Sequence, residues 1–188
     1  MLPIPHLRTA VAVAATLVLS CAVVASAHVV EQVGTYTVAL GWQHEPTYIG
    51  ELNAVEVFVT DSTGAPVTDL TPDDLKVTVT FGGQDSDPLP LLPTYDADTG
   101  LGTKGEYLAP IIPTAPGDYT FHLVGTIHDQ AVDETATSGD STFASAESPT
   151  SIEFPATLPT IGELVTRLDR IEARIAGASP APSMSTAP

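Results

Sequence analysis

The chain has 188 residues, with 23 Asp and Glu against 6 Lys and Arg, five His, one Cys and 43% apolar side chains, enough for one modest core but not for several enzyme domains. A formal net charge of −17 and a pI near 4.2 give a surface that repels phosphates, which argues against nucleic-acid binding and against docking on an anionic membrane. Cationic partners and metal ions remain compatible with it.

At the start of the chain, Arg8 precedes the apolar run Thr9 to Ala25, which leads into Ala25-Ser26-Ala27. A charged n-region, an apolar h-region and an A-x-A site predict an export signal over 1–27, cleaved after Ala27 to leave His28 first. The expected product is secreted or periplasmic, because no later apolar stretch is long enough to cross a bilayer. Val18-Leu19-Ser20-Cys21 offers a competing lipidation site, but Leu19 fits it poorly and Ala22-Val23-Val24 continues the h-region. Cys21 is the only cysteine, so the expected mature chain has no thiol, which excludes zinc-thiolate, blue-copper and cysteine-nucleophile chemistry. Met1 and Met184 are the only methionines, so a metal site in the folded domain must use nitrogen and oxygen ligands.

From Gly34 onward, short runs rich in Val, Thr, Tyr and Phe alternate with Gly/Pro/Asp clusters about every ten residues, which predicts an all-β, immunoglobulin-like antiparallel β-sandwich over 28–145. The expected strands are 34–42, 53–60, 75–81, 88–93, 105–111, 117–127, 130–136 and 141–145, with 88–93 the weakest. Val55, Val57 and Val59 alternate with Glu56 and Phe58, and Val77 and Val79 with Lys76, Thr78 and Thr80, so each strand has one core face. A Pro/Ser/Thr linker follows over 146–159. An amphipathic helix is expected over 160–177, with Ile161, Leu164, Leu168, Ile171 and Ile175 at coiled-coil spacing. Thr160 and Glu163 form a capping box, Arg170 and Arg174 suit the negative end of the helix dipole, and Gly177 suits a C-cap. Two heptads are marginal alone in water, so this helix needs a partner: other copies in a homo-oligomer through 161–175, or its own sandwich. The tail 178–188 is rich in Pro, Ser and Ala and is expected to be disordered.

Charge is uneven: 28–155 holds 20 acidic residues against Lys76 and Lys104. A solvated face explains this more simply than a binding surface. The sharpest candidate site is His28, whose α-amine and ring Nδ1 would chelate Cu(II) once the signal is cleaved. If strand 34–42 runs opposite to 117–127, its start lies near His128 and Asp129, which become the further metal ligands, while His44 sits over 25 Å away at about 3.3 Å per residue. His122 and His44 read as surface and turn residues. Asp96-Ala-Asp98-Thr-Gly100 has the look of a calcium loop, but position twelve is Tyr107 and no flanking helix exists, so it reads as a connection. Asp85 with Asp87 and Asp133 with Glu134 would serve acid–base catalysis only in a cleft that raises one pKa. No GxSxG, HExxH or phosphate-cradling glycine loop is present, so the chain is read as no enzyme.

Gly41-Trp42…Glu45-Pro46-x-Tyr48…Asn53 and Pro116-Gly117-Asp118-Tyr119-Thr120-Phe121…Gly125-Thr126-Ile127…Val132-Asp133-Glu134…Thr137-Ser138 resemble a group of uncharacterised secreted prokaryotic immunoglobulin-like proteins, over roughly His28 to Pro155. More distantly, the chain is similar to CopC-type periplasmic copper-binding proteins. That resemblance implies a mature N-terminal histidine ligand, at His28, completed by an Asp-x-His near a late strand; here the order is His128-Asp129. The expectation is a secreted non-enzymatic module that handles Cu(II) through His28, His128 and Asp129. The alternative is a structural module that presents an acidic face to another exported or envelope protein and oligomerises through its helix. A histidine-brace copper enzyme acting on polysaccharide ranks below both, because Trp42 is the only tryptophan and most tyrosines fall on strands.

Overall fold

The computed structural model describes residues 28–177, so the expected export signal and C-terminal tail lie outside the described residues. The first two strands are β1 (His28–Val33) and β2 (Tyr36–Trp42), paired antiparallel from His28 opposite Gly41 to Val33 opposite Tyr36. The tight Gly34-Thr35 turn joins them, with Gly34 at a φ of 61° that only glycine adopts at little cost. One strand over 34–42 was expected; β1 is an additional strand ahead of it, and its only fully buried side chain is Val33.

The chain continues through β3 (Asn53–Thr60), β4 (Leu75–Phe81), β5 (Gln84–Asp85), β6 (Leu89–Pro90), β7 (Leu92–Pro93), β8 (Glu106–Ile111), β9 (Thr120–Ile127) and β10 (Gln130–Thr137). One antiparallel sheet has the order β1-β2-β3-β8-β7; the other runs β10-β9-β4-β5, with β6 also on β4. Their inner faces share one core. Val55, Val57 and Val59 of β3 and Val77 and Val79 of β4 point into it, as their alternation requires. At its centre Trp42 meets Phe121 edge-on at 4.7 Å, and Phe143 stacks on Phe121 at 4.8 Å.

Two expected strands take other forms. The 88–93 segment splits: Leu89 and Pro90 pair with β4 in one sheet, Leu92 and Pro93 pair with β8 in the other, and Leu91 is buried between them. Three prolines in six residues remove the donors that a continuous strand would need. The 141–145 segment is not a strand but a loop closed by Gly139 N–H donating to the Phe143 carbonyl, which turns Phe143 into the core. There the Ala144 carbonyl accepts the Trp42 indole N–H at 2.9 Å. The other strands begin and end within three residues of expectation.

After the 146–159 stretch comes α1 (Ile161–Gly177). The capping box forms: Glu163 N–H donates to Thr160 Oγ1 at 3.2 Å, and Thr160 N–H donates to Glu163 Oε2 at 2.8 Å. No residue of α1 is buried. Among the described residues, no helix is long and apolar enough to cross a membrane.

Candidate functional site

The β1–β2 hairpin decides where the histidines stand. His28 opposes Gly41 on β2, and Gly41 opposes Glu56 on β3, so the three lie in one row across the sheet. Glycine leaves the middle of that row without a side chain, and His28 Nε2 and Glu56 Oε2 share a hydrogen bond of 2.7 Å across the gap. The His28 ring also meets Phe58 edge-on at 5.8 Å.

Glu56 is 6% exposed although it faces away from the core. Burial, then a hydrogen bond and charge from Glu106, raise its pKa to about 8, so it is largely protonated at neutral pH. Burial pushes Glu106 up as well, but hydrogen bonds from Glu56, Thr94 and Thr103 outweigh that and hold its carboxyl below the ordinary value. The Thr94 hydroxyl donates to Glu106 Oε2 at 2.5 Å. His28 is pushed down by burial, partly opposed by the charge of Glu45. The result is a chain of hydrogen bonds, His28 to Glu56 to Glu106 to Thr94, drawn from β1, β3, β8 and the loop after β7. Every buried side-chain nitrogen or oxygen among the described residues has a partner.

His128 lies elsewhere. It sits in the tight β9–β10 turn at a φ of 51°, with Nδ1 hydrogen-bonded to the Tyr36 hydroxyl at 2.9 Å and Nε2 3.1 Å from both carboxylate oxygens of Asp69. Tyr36 belongs to the turn end of the hairpin, whereas His28 belongs to its open end, five residues of β1 away or about 17 Å. The expectation that His28 and His128 share one end of the sandwich is therefore corrected: β1 runs back along β2 and carries His28 to the opposite end. Asp129 stays exposed beside His128. The same hairpin brings His28 towards the 42–45 end of β2, where Glu45 acts on it, so the long separation expected from His44 is corrected too.

The remaining candidates have local roles. His44 works through its backbone, its N–H donating to Asn53 Oδ1 at 3.1 Å and its carbonyl accepting from Thr47 and Asn53. His122 pairs with Asp133 at 2.8 Å on the exposed sheet surface. Asp96 Oδ1 accepts the N–H groups of Asp98 and Thr99, an Asx turn closing the connection. Asp85 accepts from Thr80 at 2.6 Å. Among the described residues no group of three or more His, Cys, Asp or Glu is arranged to hold a metal ion.

Sequence reasoning singled out His28 and missed its partner Glu56 and the Glu106 that bonds Glu56 in turn, and it named His128 without Tyr36 and Asp69. The one available signal was Glu56 itself, a carboxylate flanked on both sides by the apolar residues of Ala54–Val59. On α1 the apolar residues Ile161, Leu168 and Ile175 are exposed by 82%, 57% and 70%. No protein-family model matches the chain, and no curated protein matches its sequence.

Proposed function

We propose that the chain is an exported, non-enzymatic module whose immunoglobulin-like sandwich is assembled into multimers by α1 and presents its acidic surface to another exported protein. The uncovered seam of α1 carries this reading. Ile161, Leu164, Leu168, Ile171 and Ile175 line one side of a 17-residue helix, and all are exposed. A helix of that length is marginal alone and gains most of its stability from burying such a stripe. The immunoglobulin-like topology is supported by the Tyr119 hydroxyl, which donates to the Ala115 carbonyl at 2.9 Å just before β9, as in the tyrosine corner of such sandwiches. Sedimentation equilibrium of the exported protein tests the assembly: reversible, concentration-dependent self-association is expected, lost in Leu168→Asp while the sandwich keeps its thermal transition. A parent chain that stays monomeric at high concentration overturns the reading.

The copper reading retains one supporting observation. An oxygen acceptor on the second ring nitrogen is how metal-binding histidines are commonly oriented, and the carboxyl Oε2 of Glu56 stands 2.7 Å from His28 Nε2 in a position to play that part. In this reading the α-amine and Nδ1 of a processed His28 chelate Cu(II) at the open end of the hairpin, without His128 and Asp129. Competition titration of the processed protein against the peptide His-Val-Val-Glu-Gln tests it; affinity no better than the peptide removes it.

A further inference from the structure

We infer that copies of the chain associate through α1 in parallel and in register, with Arg167 of each helix paired to Glu172 of its neighbour. The inference rests on the self-association proposed above and names its geometry. With Ile161, Leu168 and Ile175 at heptad position a and Leu164 and Ile171 at d, Arg167 and Arg174 fall at g, and Val165 and Glu172 fall at e. In parallel coiled coils a g residue faces the e residue five places on in the neighbouring helix, because the two flank the same stretch of seam. Counting five from Arg167 reaches Glu172, so opposite charges meet on both sides of a dimer and once at every interface of a trimer. Thr160, the g position one heptad earlier, faces Val165.

Antiparallel helices place g against g and e against e. That arrangement brings arginines together along one flank and leaves Glu172 no cation on the other, so charge selects the parallel form. The two residues are also uncommitted within the chain: among the described residues neither Arg167 nor Glu172 has an ion-pair partner within 4.0 Å. Glu163, one turn before Arg167 and spaced to compete for it, is instead engaged in the capping box, where its Oε2 accepts the Thr160 N–H at 2.8 Å. The partner fitted by this surface is thus a second copy of the same chain, and every sandwich emerges at the N-terminal end of the bundle.

Cysteine cross-linking in a Cys21→Ser background tests the geometry, with Ile161→Cys and Ile175→Cys introduced together and the oxidised links mapped by peptide mass spectrometry. Parallel pairing gives 161–161 and 175–175 links; predominant 161–175 links overturn the inference. Independently, Arg167→Glu should weaken self-association about tenfold or more, since attraction becomes repulsion at each interface. Adding Glu172→Arg should restore it to within about threefold of the parent, because the pair is rebuilt with its signs exchanged. A double variant as weak as the single one overturns the pairing. A parent that never associates defeats the proposed assembly itself, whereas association with 161–175 links defeats only the parallel geometry.

Discussion

Replacing Glu56 with Gln should change how the stability of the sandwich responds to pH. In the folded chain Glu56 has its pKa raised from 4.5 to about 8, chiefly by burial and then by Glu106. Between those values the native state holds a proton that the unfolded state has released, so its contribution is full below pH 4.5 and declines as pH rises towards 8. His28 acts in the opposite sense. Its pKa is depressed below 6.5, so the unfolded state takes up a proton first, and stability from this source is lost as pH falls through that region. Above pH 6.5 only the Glu56 slope remains, worth about 1.4 kcal/mol per unit, or about 2 kcal/mol between pH 6.5 and 8. Gln keeps the volume and the capacity to donate to Glu106 but cannot ionise. Thermal unfolding followed by circular dichroism from pH 5.5 to 8.5 should show the parent losing about 4–8 °C over that window. Glu56→Gln should lose little and be the more stable protein at the alkaline end. Parallel curves for parent and variant would refute the assignment of a shared proton to the Glu56–Glu106 pair.

Other substitutions probe the scaffold that holds these groups. Gly125→Ala should prevent folding or cost several kcal/mol in chemical denaturation, since Gly125 has a φ of 143° and an added Cβ would stand 2.0 Å from the Asp74 carbonyl oxygen. Trp42→Ala should cost about 3–5 kcal/mol, by emptying the centre of the core and leaving the Ala144 carbonyl without its donor; urea titration measures it. Thr160→Ala should reduce α1 helicity and cost about 1 kcal/mol of helix stability, read by far-ultraviolet circular dichroism, because the Glu163 N–H loses its cap.

What could be read from the sequence was mostly local. The alternation of Val55, Val57 and Val59 fixed the core face of β3, and the Thr160–Glu163 spacing located the start of α1 to within a residue. What escaped depends on register between distant strands. Glu56 reads alone as a solvated carboxylate; its burial comes from Gly41 opposite it, His28 beyond that and Glu106 on the other side. His128 depends on Asp69 and Tyr36, 59 and 92 residues away in sequence. The Gly34-Thr35 turn is short and plain in the sequence; the start of the 34–42 strand does lie beside His128, as expected, but β1 folds back from that turn and carries His28 to the other end, and both histidine separations turn on that one missing strand.

The split segment from Leu89 to Pro93 has a mechanical consequence. Within five residues it is hydrogen-bonded first to β4 and then to β8, with Leu91 locked between the layers, so it acts as a clasp across the sandwich. Separating the two sheets along this edge requires the clasp to break its pairing with β4 or with β8 and to withdraw Leu91 from the core. Local opening at the other edges, where β1 and β10 lie, should therefore be frequent and shallow. Loss of the clasp should coincide with global unfolding, and the Leu91 amide should exchange with solvent no faster than the slowest amides of β3 and β9.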